Sequence, residues 1–380
     1  MNLPRGRNWA AAVVALVLTA LLGAGESPAA TATLPAQLSD RAFWDLSAGL
    51  SEPDGYFRSD NLVSNEHTFQ YVIPALLEQV APGGVYLGVA PDQNFTYIVA
   101  TAPRMAFILD VRRGNLRQHL MYKALIEMSA DRVEFVSRLF SKPKPRGLGP
   151  RSTVAEIFAA FAEVPTSETM YRQGVIAITD QLVRRHGFPL TPDDLEQLES
   201  IYFAFFWDGP SVRYSSGVGL GGRGRGSGFP TYEELMVQSD WNGVPRSYLA
   251  SEEHFGRLKS LQERNLIVPV VGNFAGPKAL RGIGDYLRQH GATVTSFYVS
   301  NVEQYLYQDG VFDAFARNVA MLPIDGSSTF IRSVWTRFGY QGRLLGPDRR
   351  ATALYPIRRF VRDFEDGLLP SYYDLNSRSR

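Results

Sequence analysis

Residues 84–110 constrain this chain more than any other stretch. They open Gly-Val-Tyr-Leu-Gly-Val-Ala-Pro-Asp-Gln-Asn-Phe-Thr-Tyr-Ile and close Met-Ala-Phe-Ile-Leu-Asp. Residues 85–89 are a short apolar run between turn residues, which reads as a strand buried on both faces. Residues 92–101 read as a helix that stops before Pro103. Residues 105–111 read as a second buried strand, apolar until its acid, Asp110. The turn at the end of the first strand, with Gly88, lets backbone approach a ligand. An acid that closes the second strand can bind a ribose hydroxyl pair. The ligand class implied is a nucleoside or nucleotide.

The same alternation returns near the end of the chain. Residues 266–271 read as a strand ending in Gly272, 277–290 as a helix stopped by Gly291, and 293–299 as a further strand. Residues 311–322 then read as a helix and 328–334 as a fifth strand. Strands separated by helices, with short connections, predict an α/β fold with a doubly wound, mainly parallel sheet. Its first half spans residues 61–140 and its second half 265–340. In the first half, Ser64-Asn65-Glu66 offers a cap for a helix with Phe69, Val72, Ile73, Leu76, Leu77 and Val80 at helical spacing. One long helix is expected over 115–140. Residues 33–60 read as an N-terminal arm with one short helix. Residues 341–380 read as a basic, aromatic, aperiodic C-terminal extension. Between the halves, 141–264 read as a mostly helical insertion. Its best helix start is Thr191-Pro-Asp-Asp194, a cap followed by proline and two acids, and Thr231-Tyr-Glu-Glu234 repeats that logic.

Residues 1–32 stand outside this pattern. Arg5 and Arg7 give a basic start, and residues 9–23 are almost wholly apolar. Ala30-Thr31-Ala32 offers a small-residue cleavage site, with Pro28-Ala29-Ala30 as its rival. This is the three-part pattern of a secretory signal and predicts export to the periplasm. The alternative is an uncleaved inner-membrane anchor, although the apolar run is shorter than the ~20 residues of a spanning helix. The chain has no cysteine, which excludes disulfides and a lipid anchor after the apolar run. Without residues 1–32, basic and acidic side chains balance at 37 each. That balance argues for a small-molecule ligand rather than nucleic acid or an anionic membrane as the main partner.

Polar residues recur where the strands end. They are Asp92, Gln93 and Asn94 after the first strand, Asp110 at the second, Asn273 beside Phe274 after the third, and Asn301 with Glu303 after the fourth. In an open α/β sheet, ligands sit beyond these carboxyl ends, where strand order reverses. Asn61, Asn65 and Glu66 form another polar cluster just before the first core helix. None of the five histidines has metal-ligand spacing, and no Gly-x-Ser-x-Gly elbow occurs, so neither a metal site nor a serine-hydrolase site is expected. Residues 217–228 hold seven glycines with Arg223 and Arg225. They read as a flexible surface loop able to act as a lid, with an anion-binding loop as the alternative.

The order and spacing of these strand-end residues resemble a class I, Rossmann-like S-adenosylmethionine-dependent methyltransferase. In that family a glycine-rich turn follows the first strand and an acid closes the second. A Gly-Asp pair closes the third strand, and a polar motif closes the fourth. The matching positions are 88–94, Asp110, Gly272-Asn273, and Asn301 with Glu303. The similarity covers about residues 61–140 and 266–334. It implies S-adenosylmethionine or a related nucleoside as cofactor. Gly88, Val89, Asp92, Asn94, Asp110, Asn273 and Phe274 would then hold the cofactor, with Asp110 on the ribose. Asn61, Asn65, Glu66, Asn301 and Glu303 would face the substrate. The sequence departs from the family at three points: only Gly88 remains of the usual G-x-G core, Asn273 stands where an acid is usual, and a helical block interrupts the middle of the fold. The chain is also similar to a group of uncharacterised bacterial proteins that share its Gly-Val-Tyr-Leu-Gly and Tyr-Val-Ser-Asn-Val-Glu-Gln-Tyr wording. Methyl transfer rests on orientation and desolvation, so no protein nucleophile is expected and the sequence names no catalytic residue. The rival reading is an exported, non-catalytic binding protein on a degenerate sheet of this kind. Its pocket would be lined by aromatic residues such as Tyr86, Phe274 and Tyr305.

Overall fold

The computed structural model describes Met1 and residues 33–215, 228–338 and 349–379. The expected signal segment, and the glycine-rich loop up to Gly228, lie outside the described residues. Val85–Val89 (β1), Met105–Asp110 (β2) and Ile267–Val271 (β3) are buried along their whole length. Such apolar, β-branched runs have no polar face to turn to water, so they occupy the inside of a sheet. Val294–Ser300 (β4), Ile324–Trp335 (β5) and Arg350–Pro356 (β6) complete it in the order β3-β2-β1-β4-β5-β6. The pairings from β3 through β5 are parallel, and β6 runs antiparallel to β5, from Thr329↔Pro356 to Trp335↔Arg350. The protein is thus mixed α/β with a six-stranded, mostly parallel sheet. Successive strands step outward from β1 to β3 on one side and from β4 to β6 on the other, so strand order reverses between β1 and β4.

Among the described residues, the first five helices are Asp40–Leu50 (α1), Ile73–Gln79 (α2), Gln93–Thr101 (α3), Arg113–Met128 (α4) and Arg132–Leu139 (α5). Five more precede β3: Val154–Ala162 (α6), Glu168–Thr179 (α7), Pro192–Asp208 (α8), Tyr232–Val237 (α9) and Glu252–Glu263 (α10). Ala279–Gln289 (α11), Val302–Gln308 (α12) and Phe312–Ala320 (α13) connect the later strands. Ile357–Glu365 (α14) and Tyr372–Ser377 (α15) follow β6.

Local chemistry sets many of these boundaries. Thr191 and Thr231 form reciprocal capping boxes with Asp194 and Glu234, as does Thr153 with Glu156. The single helix expected over 115–140 is instead two. Asp131 accepts from the backbone N–H of Glu134 at 2.6 Å and starts α5 afresh, because its short side chain competes for backbone donors. The helix expected from Ser64 begins only at Ile73, since Ser64 Oγ accepts from Glu66 N at 3.1 Å in a local turn.

One apolar cluster takes in Phe43 of α1, Phe158 and Phe205 of the inter-strand helices, and Phe360 and Leu375 of the C-terminal part. The helical stretch therefore shares the core of the sheet. α8 docks on α4 through the Asp194 carboxylate, which accepts from Arg113 at 2.7 and 2.8 Å and from Arg117 at 2.9 Å. The stretch expected as an aperiodic C-terminal extension supplies β6 and a helix, α14, that packs on β5. Among the described residues, no helix is long and apolar enough to cross a membrane, and no acid, histidine and cysteine group is placed to hold a metal ion.

Candidate functional site

A cavity of about 220 Å³ opens beyond the carboxyl ends of β1, β2, β3 and β4, at the reversal of strand order. Val89, Asp110, Asn273, Phe274, Asn61, Asn65 and Asn301 border it. Gly88, Asp92, Asn94, Glu66 and Glu303 do not. Residues far apart in sequence are thus brought to one place, while some of their neighbours face elsewhere.

The turn after β1 explains part of this division. Asn94 is fully buried, and its amide closes the turn from within. Nδ2 donates to the carbonyls of Val89 at 2.8 Å, Pro91 at 2.7 Å and Ala90 at 3.3 Å, while Oδ1 accepts from Tyr86 Oη at 2.8 Å. A Cβ on Gly88 would collide with Asn94 Oδ1 and the Tyr86 ring, so the glycine makes room for this pair rather than for a ligand. Tyr86, bonded to Asn94, is likewise not on the cavity wall. Ala90, at the cavity, has φ 66°, a left-handed conformation that strains a residue with a side chain. Its carbonyl is held by Asn94 and by His119 Nε2 at 2.9 Å. Burial pushes His119 down to about 4, so its ring is neutral and donates there.

Asp110 is 4 % exposed and reaches the cavity from the end of β2. Its Oδ1 accepts from Arg112 N at 2.9 Å and Arg112 Nε at 3.2 Å, and its Oδ2 accepts from Arg112 Nη2 at 3.2 Å. Asn273 turns its Oδ1 to Ala275 N at 2.9 Å, and its own N–H donates to Glu52 of the arm at 3.0 Å. Asn61, with φ 51°, is nearly buried on the lining, and its Oδ1 has no hydrogen-bond partner. Ser300, also at φ 51°, lies on the lining at the end of β4. Asn61, Ala90 and Ser300 therefore all hold left-handed backbone around one cavity. Such strain persists where surrounding contacts over-determine it, and it clusters at ligand sites.

The other expected residues are engaged inside the fold. Glu66 lies behind the wall and accepts from Tyr298 Oη at 2.7 Å and Ser300 Oγ at 2.6 Å, both of which border the cavity. Glu303 points away, into a fully buried ion pair with Arg332 of β5 at 2.8 Å. Burial pushes the Glu303 carboxyl up, against the pull of that guanidinium. Asp92 accepts from Tyr248 Oη at 2.9 Å within a buried aromatic group, and desolvation raises its carboxyl to about 7.

Several lining residues were not legible in the sequence as site residues. Tyr56 and Phe57 come from the arm, which is tied over β2 and β3 by Gly55 N to Val111 O at 2.8 Å and Glu52 N to Val271 O at 2.8 Å. Phe57 meets Tyr305 of α12 edge to face at 5.2 Å. Tyr214 and Asp309 complete the enclosure from segments without a motif, and Tyr298 from β4, where it opens the Tyr-Val-Ser-Asn-Val-Glu-Gln-Tyr stretch. The adjacent pair Tyr56-Phe57 is the local signal that the arm offers.

No curated protein matches the chain. The family described as a domain of unknown function (DUF7790) matches it over residues 61–147 and 229–355. Those two stretches carry β1 through β5, nearly all of β6 and most of the cavity lining. More than half of the chain is covered, and the protein belongs to the DUF7790 family.

Proposed function

We propose that the protein is methyltransferase-like and binds S-adenosylmethionine or a related nucleoside at the reversal point of a doubly wound, Rossmann-like sheet. The observation that carries this reading is the convergence of Asp110, Val89 and the Asn273–Phe274 turn on one cavity at the strand ends. Asp110 would take the ribose hydroxyls. Each carboxylate oxygen has two acceptor sites; Arg112 N and Nε take both on Oδ1, and Oδ2 keeps one beside Arg112 Nη2 for a ribose hydroxyl. S-Adenosylmethionine, when bound, supplies an activated methyl group. The chain itself would bind, orient and exclude water, which is all that such a transfer asks of a protein. A cavity of about 220 Å³ is smaller than the ~300–1,000 Å³ usual for drug-sized ligands. The arm with Tyr56, whose side chain stands in solvent, would therefore swing outward to admit a nucleoside with its tail. Export through cleavage near Ala32 belongs to the same proposal, and N-terminal sequencing of material from the native host checks it. A chain still beginning at Met1 would rule out cleavage.

Calorimetry with S-adenosylmethionine and S-adenosylhomocysteine tests the ligand. Binding is expected, and Asp110→Asn should weaken it by roughly 1.5–3 kcal/mol, the range for a hydrogen bond to a charged group. No heat at millimolar ligand defeats the cofactor reading. A second reading, an exported non-catalytic binding protein, is favoured by the Arg112–Asp110 pair and by Asn94 filling the turn where a glycine-rich loop would cradle a cofactor. Native mass spectrometry separates the two. A copurified adenosine compound that Asp110→Asn loses supports the first, and a non-nucleoside retained in both supports the second.

A further inference from the structure

The cavity carries a charge pattern that the nucleoside reading leaves unused. Asp110 and Asp309 border it, and Glu66 underlies its wall. Among the described residues, no lysine, arginine or histidine borders it. Glu66 is 3 % exposed, and its partners are the neutral donors Tyr298 Oη, Ser300 Oγ and Gln93 Nε2, the last at 3.2 Å. Among the described residues, Glu66 is hydrogen-bonded to no cation. It also orients its neighbours. Tyr298 and Ser300 both give their hydroxyl protons to Glu66, so their oxygens offer lone pairs to the cavity.

Asn61 adds an independent observation. It is 8 % exposed, it borders the cavity, and its Oδ1 has no hydrogen-bond partner. A buried acceptor left unpaired costs about 1–3 kcal/mol, which a ligand N–H would recover. Arg112, the partner of Asp110, has its Nη1 bonded to the carbonyls of Ser59 at 2.9 Å and Asp60 at 2.6 Å, and it does not border the cavity. Phe57, Tyr214, Phe274 and Tyr305 supply aromatic walls, with the Arg58 guanidinium 5.8 Å from the centroid of the Tyr305 ring. Ring faces attract cations through their quadrupole.

We infer that the cavity selects an organic cation with N–H donors: a primary or secondary alkylammonium compound whose apolar part lies on the aromatic wall. The inference rests on the cavity being the ligand site, and not on the ligand being a nucleoside. The N–H groups meet Asn61 Oδ1 and the carboxylates, and an anion of the same shape is repelled.

Three probes of nearly equal shape test it by ligand-observed NMR titration of the full chain: phenethylammonium, phenethyl alcohol and phenylacetate. The ammonium compound is expected to bind at least about tenfold more tightly than the alcohol, which corresponds to 1.4 kcal/mol, and phenylacetate to bind least. Equal binding of the ammonium and the alcohol, or a preference for phenylacetate, overturns the inference. Asn61→Gly removes the acceptor while tolerating the left-handed backbone, and Asp309→Asn removes a charge at an exposed helix end. Both should narrow the ammonium-over-alcohol ratio, and a ratio unchanged in both counts against the inference. Adenosine is titrated in parallel. Ammonium selectivity without adenosine binding upholds this inference and removes the nucleoside reading, whereas adenosine binding without ammonium selectivity does the reverse.

Discussion

Asn94 closes the turn after β1 with both polar atoms of its side chain. Asn94→Ala leaves the Tyr86 hydroxyl without its acceptor and takes one donor each from the carbonyls of Val89, Ala90 and Pro91, of which Ala90 keeps His119 Nε2. At about 1–3 kcal/mol per unpaired group, the expected loss is at least about 3 kcal/mol, read from urea unfolding. Gly88→Ala should also destabilise, by about 1–3 kcal/mol, because its Cβ meets Asn94. The two changes touch the same atoms, so their effects should fall short of additive in a double-mutant cycle. Additive losses would mean that Gly88 serves some other contact. Asp92 gives a pH signature of its own. Burial raises its carboxyl to about 7 from 3.8, so the folded state holds the proton more tightly than the unfolded state. The associated stability is complete below about pH 4 and is lost as pH rises through about 7, a change on the order of 4 kcal/mol. Asp92→Asn keeps the shape and removes the titration. Compared with the wild type, its urea midpoint should fall less between pH 5 and pH 8. Parallel pH profiles would show that Asp92 is ionised throughout.

At the scale of elements, Glu303 and Arg332 join the start of α12 to β5 and the C-terminal helix. Both side chains are fully buried, and the guanidinium also donates to Asn376 Oδ1 of α15 at 3.1 Å. Glu303→Gln leaves the arginine charge without its counter-ion, and breaking a buried pair in this way costs about 3–5 kcal/mol. The melting temperature should drop sharply while affinity for any cavity ligand stays within about twofold of wild type under folding conditions, since 0.4 kcal/mol is the corresponding limit. A selective loss of affinity at unchanged stability would return Glu303 to the ligand site. The capping boxes at Thr191 and Thr231 needed no such long-range contact. Their signals lie within four residues, and these helix starts are legible in the sequence for that reason.

At the scale of the whole molecule, residues 148–228 lie between the two stretches matched by the family, yet Phe158, Leu198 and Phe205 of this stretch are built into the shared core. Asp194 receives Arg113 and Arg117 of α4, and Phe205 packs near Tyr122 with ring centroids 5.9 Å apart. Excising 148–228 and rejoining the ends would strand two arginines and uncover an apolar face. The expected product lacks a cooperative thermal transition by calorimetry. A sharp transition in that product would make the helical stretch a dispensable domain.

Local patterning determined much of this protein without help from the fold. Continuous apolar runs specify β1 to β3 because a strand with no polar residue along its run has to be covered on both sides. An acid at the end of such a run specifies that Asp110 stands at the sheet's carboxyl edge, where it borders the cavity. What pattern could not decide was direction and partnership. Gly88 and Asn94 are adjacent to the cavity in sequence, but the Tyr86 hydroxyl draws the amide inward. Glu303 stands two residues beyond Asn301, and one helical step turns it from the cavity side to Arg332. β6 carries Arg350 and Thr352 and reads as part of an aperiodic extension, and its burial comes from pairing with β5 along seven residues. Tyr56 and Tyr214 reach the site from segments without a motif, and Tyr298 from β4. Tertiary packing alone brings them together, because it closes an arm, a loop and a strand end over one reversal point of the sheet.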